Sequence, residues 1–364
     1  MAQLRSEPGN IGDHEDKRRT FDWSRARDVL GFPADRFNIG WFCSDRICDQ
    51  GLSDKTALIW ESTAGDIRRY SFNELRTLSN AYAEYFRSLG LKPGDVVAVF
   101  MERTPELYMG FLGGLKAGLI MQPLFSAFRE DAVEKRLGNA GTKAVLTQRK
   151  LAFRIRNIRD KCPALEHSIV AEPGDLELAA GEHHFDLSVA EPLEQIELHD
   201  TTEETASILH YTSGTTGQPK GALHVHGSLT CQALTARWVL DLRDDDLFWC
   251  TADPGWVTGT SYGIIGPWSL GVTQFVQESG FIVDRWYKAL SEQGITVWYT
   301  APTAIRLLMK EGVDKVKERG YPKLRHMCSV GEPLNPEGVT WGQEAFGLPF
   351  YDTWFQTETG AIFI

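Results

Sequence analysis

The sequence predicts an α/β protein made of two packed parallel-sheet lobes, and three observations carry that prediction. At 364 residues the chain exceeds the size at which one hydrophobic core keeps growing. Short unbroken apolar runs such as Val96–Phe100 alternate with longer stretches of helical period, as a sheet covered on both faces demands. From about Glu172 to Glu204 the chain is rich in acid, Pro and Gly and loses its apolar period, which separates two such successions. The expected division is an N-terminal extension over 1–70, a first lobe over 71–171, an irregular connection over 172–204 and a second lobe over 205–364.

The elements follow in order. Ser71 with Glu74 spells a capping box, and Leu75, Leu78, Tyr82, Tyr85, Phe86 and Leu89 continue at helical spacing until Gly90 stops the helix. Lys92-Pro93-Gly94-Asp95 is a turn, and Val96–Phe100 a buried strand. Thr104 caps a helix with Pro105 at its first position, and Gly118 closes it. A strand over Leu119–Leu124, a helix over Arg129–Asn139 and a strand over Ala144–Thr147 complete the first lobe. The second lobe is expected to carry strands at Ala206–Leu209, Leu247–Thr251, Val272–Val276, Thr296–Tyr299, His326–Val330 and Phe350–Asp352. Helices separate most of them, one capped by Asn335 with Pro336 at its first position. No internal repeat or low-complexity tract interrupts this order.

Composition excludes several classes. Hydrophobic content of 42% and charged content of 24% are ordinary for a globular protein. A net charge of -11 with no offsetting Lys/Arg cluster argues against a nucleic-acid groove. Gly110–Ile120 is the most apolar stretch, but Lys116 interrupts it and it is too short to span a bilayer. Its glycines are read as allowing close helix packing. The N-terminus is charged from Asp13 to Arg19 and lacks the apolar run of a secretory leader, so a cytoplasmic location is expected. Of six scattered cysteines only Cys43 and Cys48 lie close, and no second pair completes a zinc site; buried thiols in a reducing compartment are expected. His183-His184 is read as part of a solvated acidic loop.

Chemistry concentrates in Tyr211–Gly221. Four Ser/Thr hydroxyls, three glycines and Lys220 fall in one turn-forming segment behind an apolar strand. Glycine lets backbone N–H groups turn inward, and inward N–H groups with hydroxyls and an ammonium make a phosphate cradle. A Walker A loop needs Ser or Thr directly after Gly-Lys, whereas Lys220 stands between Pro219 and Gly221, so that reading fails. A plain surface loop is the competing reading, opposed by the density of donors and the stiffening proline. This loop, Val257-Thr258, Ala301-Pro302, Gly331-Glu332-Pro333 and the Asp352–Glu358 segment all follow predicted strands. Ligands gather at the carboxyl ends of strands in open α/β sheets, so the five segments are expected at one edge.

The loop resembles the phosphate-binding signature of the adenylate-forming enzymes, and Tyr351–Gly360 resembles their later Thr-Glu motif. Cys250–Gly259 and Ser329–Pro336 narrow the resemblance to the AMP-forming acetyl-CoA synthetases, over a span from about Phe21 to the last residue. The resemblance implies joining acetate to coenzyme A at the expense of ATP through an acetyl-adenylate, releasing AMP and diphosphate. Thr212, Ser213, Gly214, Thr215, Thr216, Gly217 and Lys220 would hold the phosphates, with Lys220, Thr215 and Glu358 as the catalytic set. Gly331, Glu332, Pro333, Asp352, Thr353, Trp354, Phe355, Gln356 and Thr357 would surround the nucleotide, and Glu358 would bind Mg2+, a hard cation that seeks oxygen. Val257, Thr258, Val330 and Phe355 would line the acyl pocket, with Thr258 and Ala301 near coenzyme A.

Phe355 departs from the tryptophan usual in that family, which leaves propionate or another short acid as an alternative substrate. Arg149, Lys150, Arg154 and Arg156 are read as an ordinary solvated helix face, since the family's Gly-rich arginine segment is absent. Members of the family continue beyond this point into a small domain with a catalytic lysine. The chain is therefore expected to be an N-terminal fragment, incomplete at its C-terminus and inactive by itself; a non-catalytic nucleotide-binding remnant is the other reading. Its partners are expected to be small molecules, with no nucleic acid and no membrane.

Overall fold

A computed structural model describes residues 9–172, 177–187, 190–212, 218–278 and 280–364. In chain order the strands are β1 (Thr56–Glu61), β2 (Ile67–Ser71), β3 (Val96–Phe100), β4 (Ile120–Pro123), β5 (Ala144–Thr147), β6 (His167–Val170) and β7 (Glu182–His184). They continue as β8 (Ala206–Thr212), β9 (Lys220–Val225), β10 (Leu247–Cys250), β11 (Thr273–Gln277), β12 (Val297–Thr300), β13 (His326–Ser329) and β14 (Phe350–Asp352). They form two seven-stranded sheets, ordered β14-β13-β12-β10-β11-β1-β2 and β7-β6-β5-β3-β4-β8-β9. Each is parallel except for one edge hairpin, β1–β2 and β8–β9 respectively, so both sheets are mixed rather than purely parallel.

Strand membership differs from the expected division of the chain. The strand from Ala206, expected to open the second lobe, instead joins the first-lobe sheet through Met121↔Ile208. Conversely β1, from the expected N-terminal extension, pairs parallel with β11 through Leu58↔Gln274. Local apolarity marks a segment as a strand but carries no label for its partner, which complementary burial across the sheet selects.

Local signals explain the elements that flank the site. In the capping box, the Ser71 hydroxyl accepts from Glu74 N at 3.1 Å while the Glu74 carboxylate accepts from Ser71 N at 2.7 Å. It starts the helix Phe72–Ser88. The helix Pro105–Lys116 lies against it, and a Cβ on Gly113 would stand 2.5 Å from the Ser79 carbonyl, so only glycine permits that approach. Thr104 and Asn335 occupy the expected N-cap positions, but neither side chain makes the cap bond; Asn335 turns to Glu337 at 2.7 Å.

Two other expectations are corrected. His183 and His184 lie on β7, inside the segment expected to be irregular, and His183 Nε2 meets His167 Nδ1 at 2.9 Å. The helix Arg149–Ile158 is not simply solvated: Arg156 pairs with Glu182 at 2.6 Å and Lys150 with Glu102. Lys116 is fully buried, bonded to Asp45 at 2.6 Å and Asn80 at 2.7 Å. Among the described residues no disulfide forms, and five of the six cysteines are buried. No helix among the described residues is long and apolar enough to cross a membrane.

Candidate active site

Four of the five candidate segments gather where both sheets present their strand ends. The loop after β10, the residues after β12 and β13, and the Thr-Glu segment after β14 enter a cavity of about 950 Å³. The facing wall comes from the other sheet, with Glu102 and Arg103 after β3 and Phe125, Ser126 and Ala127 after β4. Nine of the expected residues line this space: Val257, Thr258, Ala301, Val330, Gly331, Glu332, Phe355, Gln356 and Thr357.

The loop after β10 is locked before it reaches the cavity. A Cβ on Gly255 would lie 2.2 Å from Phe125 N, so the loop touches the backbone that follows β4. The Asp253 carboxylate accepts from Gly255 N at 2.8 Å and from the Ser126 hydroxyl at 3.3 Å. Burial raises the pKa of that carboxyl, against the opposing pull of Arg103. Arg103 itself donates to the Thr251 carbonyl at 2.9 Å. Val257 then opens a short helix that carries Thr258 to the cavity wall.

Beyond β13 the backbone turns at Gly331, whose φ of 98° favours glycine. Glu332 is exposed and accepts from Thr303 and, at 2.9 Å, from Arg306; these two bonds lower its pKa. Asp352 reaches back to the same turn, accepting from the Ser329 hydroxyl and from Leu334 N at 3.1 Å. Thr353 is buried, its hydroxyl 2.8 Å from the Tyr299 hydroxyl, and Tyr299 forms part of the cavity floor. The half-buried Phe355 ring stands edge-on to Tyr262 at 5.5 Å.

Other expected residues lie outside the cavity lining. Asp352, Thr353 and Pro333 support its walls rather than face it. Trp354 is 52% exposed and turns toward Phe363. Thr212 and Lys220 pair across the β8–β9 hairpin and mark its two ends. Ser213, Gly214, Thr215, Thr216 and Gly217 lie outside the described residues. Glu358 is exposed in the turn after β14. No cluster of three or more His, Cys, Asp or Glu suited to a metal occurs among the described residues. A lone exposed carboxylate still fits Mg2+, which keeps several waters and takes its other ligands from phosphates.

Sequence reasoning missed Arg103, Phe125, Ser126 and Tyr299, which also line the cavity. The strand-end rule would have flagged the first three, because they directly follow predicted strands. Tyr299 sits inside a strand and gives no local signal.

The AMP-binding enzyme family matches residues 46–364. The acetyl-coenzyme A synthetase of Bacillus subtilis is 40% identical over 354 residues, covering 97% of this chain and 61% of that protein. That of Rubrobacter xylanophilus is 35% identical, covering 92% of this chain and 55% of the other. The solved acyl-CoA synthetase of Brucella canis superposes with a TM-score of 0.87 at 31% identity, over 95% of this chain and 62% of its own. The chain thus spans less than two thirds of the length of these relatives.

Proposed function

The chain belongs to the AMP-binding enzyme family, and from that premise we propose that it forms the nucleotide- and acyl-binding part of an AMP-forming acetate–CoA ligase. The observation that carries this reading is the inter-sheet cavity, where the acyl positions Val257, Thr258, Val330 and Phe355 meet Ala301, Gly331 and Gln356. The likeness to proteins named acetyl-coenzyme A synthetase supports acetate as the acid.

In this reading a carboxylate oxygen attacks the α-phosphorus of ATP and diphosphate leaves. The coenzyme A thiol then attacks the acyl carbon and AMP departs. The hairpin between Thr212 and Lys220 neutralises triphosphate charge, with the Lys220 ammonium as a point charge. Glu358 is the carboxylate that would hold Mg2+, which supplies further charge neutralisation when bound. Gly331, Glu332 and the Asp352–Thr357 segment wall the nucleotide. Thr258 and Ala301 stand where the thiol would approach. Small molecules are the partners in this reading, and the mostly buried cysteines, none in a disulfide among the described residues, support a reducing, cytoplasmic setting.

Phe355 favours a second acid. It lines the cavity and is smaller than tryptophan, so propionate is a competing substrate. Acid-dependent ATP–diphosphate exchange in the protein that carries this chain tests both. Exchange should appear with acetate and propionate, fall about 10²- to 10³-fold in Lys220→Ala, and lose Mg2+ sensitivity in Glu358→Gln. Exchange that ignores the carboxylate would defeat the ligase reading.

A further inference from the structure

His224 holds together two segments that belong to different sheets. It lies on β9, the strand that leaves the phosphate-loop hairpin at Lys220, and it is 8% exposed. Its Nε2 meets the carbonyl oxygen of Thr357 at 2.8 Å. A carbonyl only accepts, so this nitrogen carries the proton and donates. Thr357 directly precedes Glu358 in the turn after β14.

The contact has a second half. Gly360, with φ 68°, comes so near the imidazole that a Cβ there would stand 2.8 Å from Cε1 and 2.9 Å from Nδ1. The Gly360 carbonyl accepts from the Ser261 hydroxyl at 2.6 Å and from Gln232 Nε2 at 3.3 Å. The turn bearing Glu358 is therefore held at Thr357 by the ring and at Gly360 by the Ser261 and Gln232 side chains, with the ring packed close against Gly360. On its own strand, the His224 carbonyl accepts from the Ser207 hydroxyl at 3.1 Å, which fixes β9 against β8. Among the described residues β9 is an edge strand beside β8, so the imidazole gives it an anchor outside that sheet.

We propose that His224 is a positioning residue that sets the Glu358 carboxylate against the hairpin ends Thr212 and Lys220. This rests on the reading above, in which the hairpin takes phosphates and Glu358 takes their Mg2+. A triphosphate held by both must find them at a fixed separation, and small misplacements in such constellations are costly. The ring acts through the Thr357 carbonyl and touches neither substrate nor metal in this role. AMP lacks the β- and γ-phosphates, so its binding does not depend on that separation.

The test is calorimetric titration of ATP and of AMP, each with and without Mg2+, into wild type, His224→Leu, His224→Gln and Gly360→Ala, alongside thermal unfolding. Gln places an amide N–H near the position of Nε2 and serves as the conservative replacement. Wild type should bind ATP more tightly when Mg2+ is present. His224→Leu should lose about fivefold or more of that gain, the worth of one hydrogen bond, with AMP affinity moving by less than about twofold. His224→Gln should recover most of the gain, and Gly360→Ala, which pushes the turn off the ring, should lose it as Leu does. Absence of any Mg2+-dependent gain in folded wild type would sink the functional reading and this inference with it. A normal wild-type gain that survives in both His224→Leu and Gly360→Ala overturns the inference alone. So does equal weakening of ATP and AMP, or failure of Gln to rescue, because either marks the ring as a structural strut. Should His224→Leu not fold, the contrast between His224→Gln and Gly360→Ala decides the matter.

Discussion

At Phe355 one ring would set how far an acyl chain reaches in the proposed ligase. It faces the cavity and leans edge-on against the buried Tyr262, so its volume is fixed by packing and not by a mobile tip. Phe355→Gly should raise kcat/KM for four-carbon acids relative to acetate, and Phe355→Trp should favour acetate over propionate by about tenfold, as one methylene allows. Unchanged ratios in both variants would place the wall elsewhere. Burial, with a smaller push from His224, drives His210 from its ordinary value of 6.5 down to about 3. Between those values the unfolded chain binds a proton on this ring that the folded protein refuses, so stability falls as pH drops from 6.5 toward 3. Its Nε2 has no hydrogen-bond partner among the described residues. His210→Leu should therefore flatten the acid limb of urea-unfolding free energy against pH; an identical slope in both proteins would contradict the assignment.

Among the elements, the helix Phe72–Ser88 shows how much a local signal can carry. Its reciprocal Ser71–Glu74 bonds are both formed, as the S-x-x-E spacing foretells. Ser71→Ala should lower the free energy of unfolding by about 1 kcal/mol without altering ATP binding, measurable by urea titration and calorimetry. Three of the five strands that escaped prediction have a shared physical cause, which the interior strands β1 and β6 do not share. β2 (Ile67–Ser71), β7 (Glu182–His184) and β9 (Lys220–Val225) all lie at sheet edges. Edge strands carry polar and charged side chains because an apolar edge invites pairing with other chains. The Arg68-Arg69, His183-His184 and Lys220-Gly221 pairs obey that rule and so lack the apolar period by which interior strands such as β3 and β10 are recognised.

For the whole molecule, the decisive joint is between the sheets. Gly255, after β10, meets the Phe125 backbone after β4 at a distance that admits no side chain. Gly255→Val should drive the two walls of the cavity apart, costing about 1–3 kcal/mol as other overpacked sites do. Ligand affinity should fall with it. Thermal unfolding and ATP titration check this, and a variant with unchanged melting and affinity would show that the contact yields freely.

Much of the candidate site was legible before any fold, because its chemistry is local. The β10 loop and the Gly-Glu-Pro turn each follow an interior strand whose apolar run announces it, the aromatic Thr-Glu segment follows the edge strand β14, and strand ends are where such sheets place ligands. The sequence by itself thus determined the α/β class, most interior strands and nine residues that meet in one cavity. Tertiary structure alone decided which sheet each strand joined. It sent β1 to β11 and β8 to β4, set Arg103 and Phe125 opposite the β10 loop, and brought the imidazole of His224 to the Thr357 carbonyl. Those outcomes depend on contacts between segments far apart in the chain. Hydrophobic period, capping and turn chemistry describe only a few residues at a time, and the same apolar strand can satisfy them beside either sheet.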